Sequence, residues 1–366
     1  MHISIIIPSY NNFLLISKCI LSILKFDSIV THEIIIADNA SSKDTSQYLQ
    51  YLQKTTPIRI IFNQSNLGFA KACNQGAKIA NGNHLIFLNN DTEVTHGWVE
   101  ELTRCILADP RIGVVGCKLL YPDNTIQHAG VAFSSVKVHH LYRNFHPEHP
   151  ATNTSRQLQA VTGACMLVPR KLFLFLGGFD EAFINGFEDL DFCFRARSKG
   201  FKVVYTPKSV VIHHESKTPG RHDHHAHNAR LFASRWQHSI IHDLDEIYAK
   251  DGLMRLVEFE NECGGKWLAD TNANRFWDQA KSLAKAGDYI EAEKLYGQAL
   301  AFNPYDVRRL AIAEELADVY MNWGRFSDAA ACLDAIIQVR PSKGALEKKA
   351  QITTAGRFTP GGPAQT

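Results

Sequence analysis

The stretch Leu85-Ile86-Phe87-Leu88-Asn89-Asn90-Asp91-Thr92 constrains this chain most. Four apolar residues in a row read as a buried strand, and polar residues stand where that strand must end. The same pattern precedes it three times. Ile3-Ser4-Ile5-Ile6-Ile7 stops at Pro8, Glu33-Ile34-Ile35-Ile36-Ala37 ends in Asp38-Asn39, and 58–62 runs into Asn66-Leu67-Gly68. Helical spacing fills the intervals, over 13–24, through Leu52, and up to Ala80 before Gly82. Strands alternating with helices of about a dozen residues predict a parallel, doubly wound sheet. Ligands of such sheets bind beyond the carboxyl ends of the strands, at a topological switch point. All four polar strand ends fall on that one edge, which is the candidate site.

Residue chemistry at this edge suits a polar, phosphorylated ligand. Asp91 offers a carboxylate to a hard cation, while Asn89 and Asn90 offer amides to hydroxyls. Pro8 lacks an N–H and fixes φ, so its peptide can pack against a planar ring. Tyr10 can stack there or bury as a core aromatic. Gly68 permits close backbone approach, and Asn66 and Asn74 can bridge loop and ligand. The competing structural reading makes these Asn and Asp residues turn formers and helix caps.

Length and charge narrow the class. With 366 residues the chain should hold two domains. A formal charge of +2 argues against nucleic-acid binding through bulk charge. No apolar run reaches the roughly 18 residues of a membrane span, and the N-terminus reads as strand rather than leader. Eight cysteines without a CxxC pair fit reduced thiols. A cytoplasmic protein is expected, at most peripheral at the inner face of the membrane.

Six motifs in order carry a family resemblance over roughly residues 1–250. They are 4–11 (SIIIPSYN), 36–41 (IADNAS), 66–70 (NLGFA) with Asn74 and Gly76, 88–91 (LNND), 177–181 (GGFDE) with 188–192 (EDLDF), and 213–216 (HHES). Together they resemble the family 2 glycosyltransferases, closest to the branch of rhamnosyl- and galactofuranosyltransferases that build bacterial surface polysaccharides. The resemblance implies a GT-A nucleotide-diphospho-sugar transferase fold, a Rossmann-like mixed α/β sheet. It also implies inverting hexosyl or deoxyhexosyl transfer with a divalent metal, Mg2+ or Mn2+. The donor would be a nucleotide-diphosphate sugar, UDP- or dTDP-linked before GDP-linked. The acceptor would be a glycan, a lipid-linked sugar or a protein. By family position Asp38 and Asn39 contact the nucleotide, Asp91 and His213 hold the metal, and Asp189 is the general base. Two departures stand out: Asn89 replaces the first acid of Asp-x-Asp, and Cys73 stands where relatives carry Arg.

The rest of the first domain is less regular. Strands are expected over 113–121, 126–133, 160–168, 203–205 and 210–212, with a helix over 170–176. The polar, His-rich stretch 136–156 reads as a long loop, a flap over the acceptor. Asp191 stands four residues before Arg195 and should pair with it. The tract 221–227 reads as a solvated loop or a metal tract.

A second domain is signalled by recurrence. Gly287-Asp288-Tyr289 with Ala292 returns as Gly324-Arg325-Phe326 with Ala329, and Pro304 returns as Pro341. This pattern resembles tetratricopeptide repeats, an all-α module for a protein partner or self-association. The expected domains are a transferase at 1–250, a linker at 251–273, repeats at 274–341 and a disordered tail at 342–366. Two rivals remain. A nucleotidyltransferase would need a basic, Gly-rich loop after the first strand, which is absent. An inactive scaffold binding partners through its repeats would not need Asp91, Asp189 and His213.

Overall fold

A computed structural model describes residues 2–26, 30–135, 137–215, 223–255, 268–302, 308–339 and 343–355. The chain divides into two compact units, residues 1–244 and 245–366.

The first unit opens with four strands, β1 (His2–Ser9), β2 (Thr31–Asp38), β3 (Arg59–Phe62) and β4 (His84–Leu88). Between them lie α1 (Phe13–Lys25), α2 (Lys43–Thr55) and α3 (Gly68–Ile79). Then follow β5 (Thr92–Val94), α4 (Trp98–Leu107), β6 (Ile112–Leu120), β7 (Ile126–His128), β8 (Val131–Phe133) and β9 (Val138–His140). The unit continues with β10 (Arg156–Leu158), β11 (Cys165–Pro169), α5 (Arg170–Phe175), α6 (Glu188–Ser198), β12 (Lys202–His213) and α7 (His225–Trp236).

One sheet runs in the order β10-β12-β6-β11-β4-β1-β2-β3, with β5 added on β12 and β7 on β6. β1 pairs in parallel with both β2 and β4, and β3 extends β2 in parallel. The order therefore reverses between β1 and β4, which is the switch point expected of an open α/β sheet. β11 then inserts antiparallel between β4 and β6, making the sheet mixed.

Both faces are covered, which explains the unbroken apolar runs. Ile3, Ile5, Ile7, Ile86 and Leu88 share a core with Ile16 and Ile20 of α1 and Leu102 of α4. Each such fully buried aliphatic contributes about 1.5–3 kcal/mol. On the other face Phe87 meets Phe173 and Phe179 at ring distances of 4.8 and 4.7 Å, with Phe192 beside them. Pro8 is tolerated in β1 because the pairing with β4 ends at Ile6, so no ladder needs its N–H there.

Three expectations are corrected by the second half of the sheet. The strands expected at 203–205 and 210–212 are one strand, β12, whose register shifts between Thr206 and Val210. Pro207 sits in that bulge, where its missing N–H breaks no ladder bond. The strand expected over 126–133 splits at Gly130 into β7 on the main sheet and β8, which pairs with β9. Of the stretch 160–168 only residues 165–168 enter the main sheet, in β11.

The stretch 136–156 is not a free flap among its described residues. It holds β9 and a 3-10 turn, Pro150–Asn153, and buries Leu141, Tyr142, Phe145 and His149. Lys118 of β6 is nearly fully buried there and donates to the Pro147 carbonyl and to Asn153 Oδ1, at 3.1 and 2.6 Å. Burial lowers its pKa. The reading failed because this segment packs its aromatics without any period.

The second unit contains α8 (Leu244–Lys250), β13 (Leu253–Arg255), β14 (Leu268–Asp270), α9 (Thr271–Ala286), α10 (Tyr289–Phe302), α11 (Arg309–Trp323), α12 (Phe326–Val339) and α13 (Lys343–Ala355). Gly287 and Gly324 take φ of +81° and +79° at the helix turns, where L side chains are strained. Buried Tyr296, Ile312, Leu316 and Tyr320 form the core between helices. Glu315 accepts from Trp277 Nε1 and the Tyr296 hydroxyl at 2.7 and 3.1 Å. Part of the segment expected as linker forms β13 and β14, which pair antiparallel, and the segment expected as tail contains α13. Pro304, Pro341, 256–267 and 356–366 lie outside the described residues.

Candidate functional site

A cleft of about 160 Å3 opens beyond the carboxyl ends of β1, β2 and β4. β1 supplies Pro8, Ser9 and Tyr10, β2 supplies Asn39, and β4 supplies Asn89, Asn90 and Asp91. Asn66, Gly68 and Phe69 line it from the start of α3. Residues 162–164, Asn185 and Gly186, and Glu188 and Asp189 at the start of α6 complete it.

Hydrogen bonds hold the first wall in place. Asn39 Nδ2 donates to the Gly68 carbonyl at 3.2 Å, and Asn39 Oδ1 accepts from Asn63 at 3.0 Å. Asn66 Oδ1 accepts from the Gly68 N–H at 3.0 Å, which fixes Gly68 at φ +81°. Two expected contacts do not line the cleft. Asp38 is buried, its carboxyl accepts from the N–H and hydroxyl of Ser41, and burial raises its pKa. Asn74 bridges α3 to the 177–181 turn by donating to the Phe179 carbonyl and accepting from the Phe179 N–H, both at 2.9 Å. Gly178 is required there, since its φ is +78° and a Cβ would lie 2.5 Å from Asn74 Oδ1.

His213 reaches the site through the sheet. It ends β12 opposite Thr92 of β5, and the His214 N–H donates to the Asp91 carbonyl at 2.9 Å. His213 Nε2 thereby sits 3.1 Å from Asp91 Oδ1 and 3.2 Å from Asn89 Nδ2. His214 turns away to Glu93, at 2.7 Å.

These two donors fit a hard divalent cation. Adjacent ligands on an octahedral ion with bonds near 2.1 Å lie about 3 Å apart, close to the Asp91–His213 separation. Among the described residues no group of three or more His, Cys, Asp or Glu converges. The remaining positions would therefore fall to ligand oxygens and water, the usual arrangement for a cation held on a phosphate.

Asp189 belongs to a second wall. Its Oδ2 accepts from the Gly163 N–H at 2.7 Å and its Oδ1 from the Leu190 N–H at 2.8 Å. Glu188 next to it is buried and accepts from the Gly186 N–H at 2.6 Å. Asp191 faces inward, away from the cleft lining. It is fully buried and accepts from Arg195 at 2.7 Å, from Trp236 Nε1 at 2.9 Å and from Arg235 at 3.2 Å.

Several site residues escaped the sequence. Asn185 has φ +52° and accepts from the Phe69 N–H at 3.1 Å, tying the two walls together. The Asn-Gly pair at 185–186 was the available signal. Gln127 bonds His213 from 86 positions away, and nothing local marks it. The remaining histidines disperse: His140 meets His128 at 2.7 Å, His139 meets Ser134, and His149 Nδ1 accepts from the Ala151 N–H. Arg221 and His222 lie outside the described residues, whereas His225 opens α7. Cys73 is buried in α3, and burial raises its thiol pKa well above the ordinary value.

Known proteins match both units. Residues 4–174 match glycosyl transferase family 2, and residues 283–352 match a tetratricopeptide repeat. The O-antigen biosynthesis protein RfbC of Myxococcus xanthus is 33% identical over 224 residues, 58% of this chain and 17% of that one. An uncharacterized protein of Sinorhizobium fredii, y4gI, is 31% identical over 238 residues, 63% of this chain and 26% of that one. The chain thus spans about a quarter or less of these two relatives. The N-acetylglucosaminyl-diphospho-decaprenol L-rhamnosyltransferase of Mycobacterium tuberculosis is 27% identical over 211 residues, 51% of this chain and 68% of that one. Among solved structures, GalNAc-T7 with UDP, GalNAc and Mn2+ aligns with a TM-score of 0.53 at 18% identity, covering 68% of this chain and 50% of that one. No helix among the described residues is long and apolar enough to cross a membrane. By sheet, motifs and matches, the chain carries a family 2 glycosyltransferase domain of the GT-A fold, followed by tetratricopeptide repeats.

Proposed function

We propose that the first unit transfers a sugar, with inversion, from a nucleotide-diphosphate donor to a hydroxyl of a surface-polysaccharide acceptor. One observation carries this reading. Asp91 and Asp189, set by different elements and nearly a hundred residues apart, line the same cleft at the switch point of the sheet.

In this reading the donor base lies at the Pro8–Tyr10 end beside Asn39, and Asp38 shapes that turn from behind. UDP- and dTDP-linked sugars rank before GDP-linked ones, because no charged side chain lines that end. Asp91 and His213 hold the cation of the diphosphate, with Asn89 and Asn90 beside it. When bound, the cation neutralises charge on the leaving diphosphate. Asp189 takes the proton of the acceptor hydroxyl, for which it must lie within about 3 Å of that oxygen. The freed oxygen forms the new glycosidic bond at the anomeric carbon as the bond to the diphosphate breaks on the opposite side. Gly163 and Leu190 N–H groups orient the Asp189 carboxylate.

The acceptor we favour is a lipid-linked glycan, on the strength of the name of the Mycobacterium relative, a diphospho-decaprenol rhamnosyltransferase. The repeats serve a protein partner or a second copy. The test is mass spectrometry of nucleotide released from UDP-, dTDP- and GDP-sugars, with Mn2+ and lipid-linked acceptors. Acceptor-dependent release is expected from a UDP- or dTDP-sugar. Release from none of the panel would overturn the reading.

A further inference from the structure

We infer that Gln127 is a positioning residue that selects the ring tautomer of His213, and that this choice keeps Nε2 open to the cation. The inference rests on the proposed metal role of His213 and assigns the residue that enforces it.

Orientation of the Gln127 amide follows from its neighbours. Gln127 is 4% exposed, and its Nε2 lies 3.2 Å from the His213 carbonyl and 3.4 Å from Glu215 Oε2. Both neighbours are acceptors, so the NH2 end must face them. Gln127 Oε1 then faces His213 Nδ1, at 2.6 Å. An amide oxygen cannot donate, so Nδ1 carries the hydrogen. A neutral imidazole has only one N–H, which leaves a lone pair on Nε2. That lone pair is beside Asp91 Oδ1, 3.1 Å away.

Without Gln127 the balance reverses. Asn89 Nδ2 can still donate to Nε2 from 3.2 Å, but Asp91 is a charged acceptor and favours the tautomer with its hydrogen on Nε2, donated to Oδ1. That hydrogen would occupy the position a cation needs. Metal-binding histidines commonly donate their second N–H to an oxygen, and loss of that partner typically weakens metal binding about 10–100-fold. Here the partner is itself braced. Glu215 accepts from the Tyr121 hydroxyl at 3.0 Å and from Arg143 at 2.9 Å. A line of hydrogen bonds thus runs from exposed Arg143 through Glu215 and Gln127 to His213.

The experiment compares wild type with Gln127→Leu by long-range 1H–15N NMR of the His213 ring, without metal and above the histidine titration range. It is paired with calorimetric Mn2+ affinity in the presence of UDP. We expect hydrogen on Nδ1 in wild type and on Nε2 in the variant, with Mn2+ affinity lower by about 10–100-fold. UDP affinity without metal should be unchanged. An unchanged tautomer, or equal Mn2+ affinity in the two proteins, overturns the inference. Should wild type itself bind no Mn2+ with UDP, the metal reading falls, and the ring spectrum still reports what Gln127 does. If Gln127→Leu fails to fold, Gln127→Met, similar in length and without an amide, gives the same comparison.

Discussion

The two walls of the cleft are built by different means. The β1–β4 wall presents residues at the ends of parallel strands, each within a few positions of an apolar run. The Asp189 wall is assembled from long-range contacts: Gly163 with Asp189 and Phe69 with Asn185. A strand end fixes where a side chain emerges, and the hydrogen bonds of Asn39 and Asn66 then brace the first wall. The second wall depends on individual hydrogen bonds. Donor binding should therefore follow the first wall, and proton transfer and precise placement the second.

The largest effect is expected at the first wall. Asp91→Ala removes the only carboxylate proposed for the cation, so transfer should fall below detection. Excess chelator should do the same to wild type. Full turnover in chelator would break the metal reading, and with it the division of labour between the walls.

Next in size is Asp189→Asn, which keeps the shape but loses the proton acceptor and leaves only one oxygen for the Gly163 and Leu190 N–H groups. Turnover should drop about 10²–10⁴-fold, the usual scale of general-base loss. Donor affinity should hold, because the first wall is intact. Near-normal turnover would remove Asp189 as base.

The first wall was readable because the period of a strand and the break after it are local properties. Asn39, Asn66, Gly68, Asn89, Asn90 and Asp91 were all reached in this way, and all line the cleft. Chemistry alone could not tell that Asp38 and Asn74 bond backbone instead, since a ligand and a turn call for the same residue types. Asp189 on the second wall, and His213 beside Asp91, were reached only through family position. Gln127 carried no signal, because its partner is set by β7 and β12 both joining β6. The segments 203–205 and 210–212 misled in the other direction, reading as two strands where one strand only bulges.

A smaller effect separates two acids on one helix turn. Asp191→Asn keeps an oxygen for Trp236 but loses the charge facing Arg195 and Arg235. Those arginine side chains are 21% and 33% exposed, so water compensates in part. A loss of about 1–3 kcal/mol is expected. At about 2–4 °C per kcal/mol, melting should show it clearly. Turnover per folded molecule should stay near wild type. Unchanged melting with lost activity would move Asp191 into the chemistry and blur the contrast with Asp189.

The smallest effect tests how the second wall keeps its register. Asp109, between α4 and β6, accepts from the Arg111 N–H at 2.9 Å and from Lys202 Nζ at 2.8 Å. The Lys202 N–H in turn donates to the Arg111 carbonyl at 2.7 Å, starting β12 beside β6. Hydrogen bonds from Arg111 and Lys202 hold the Asp109 carboxyl well below the usual carboxylate range. A depressed carboxyl stabilises the fold above its unfolded value, about 3.9, and loses that contribution as pH falls through the folded value. The Asp109 side chain is 22% exposed and its partner Arg111 69%, so solvent and salt screen the pair and the gain is slight. Asp109→Asn should therefore lower the melting temperature a little at neutral pH and low salt. The gap should narrow in high salt and close as the buffer is taken below the ordinary aspartate range. A gap that persists unchanged in acid and in salt would mean that the side chain acts through the shape of the turn. The register of β12 would then rest on its backbone ladder, as it does for the strands of the first wall.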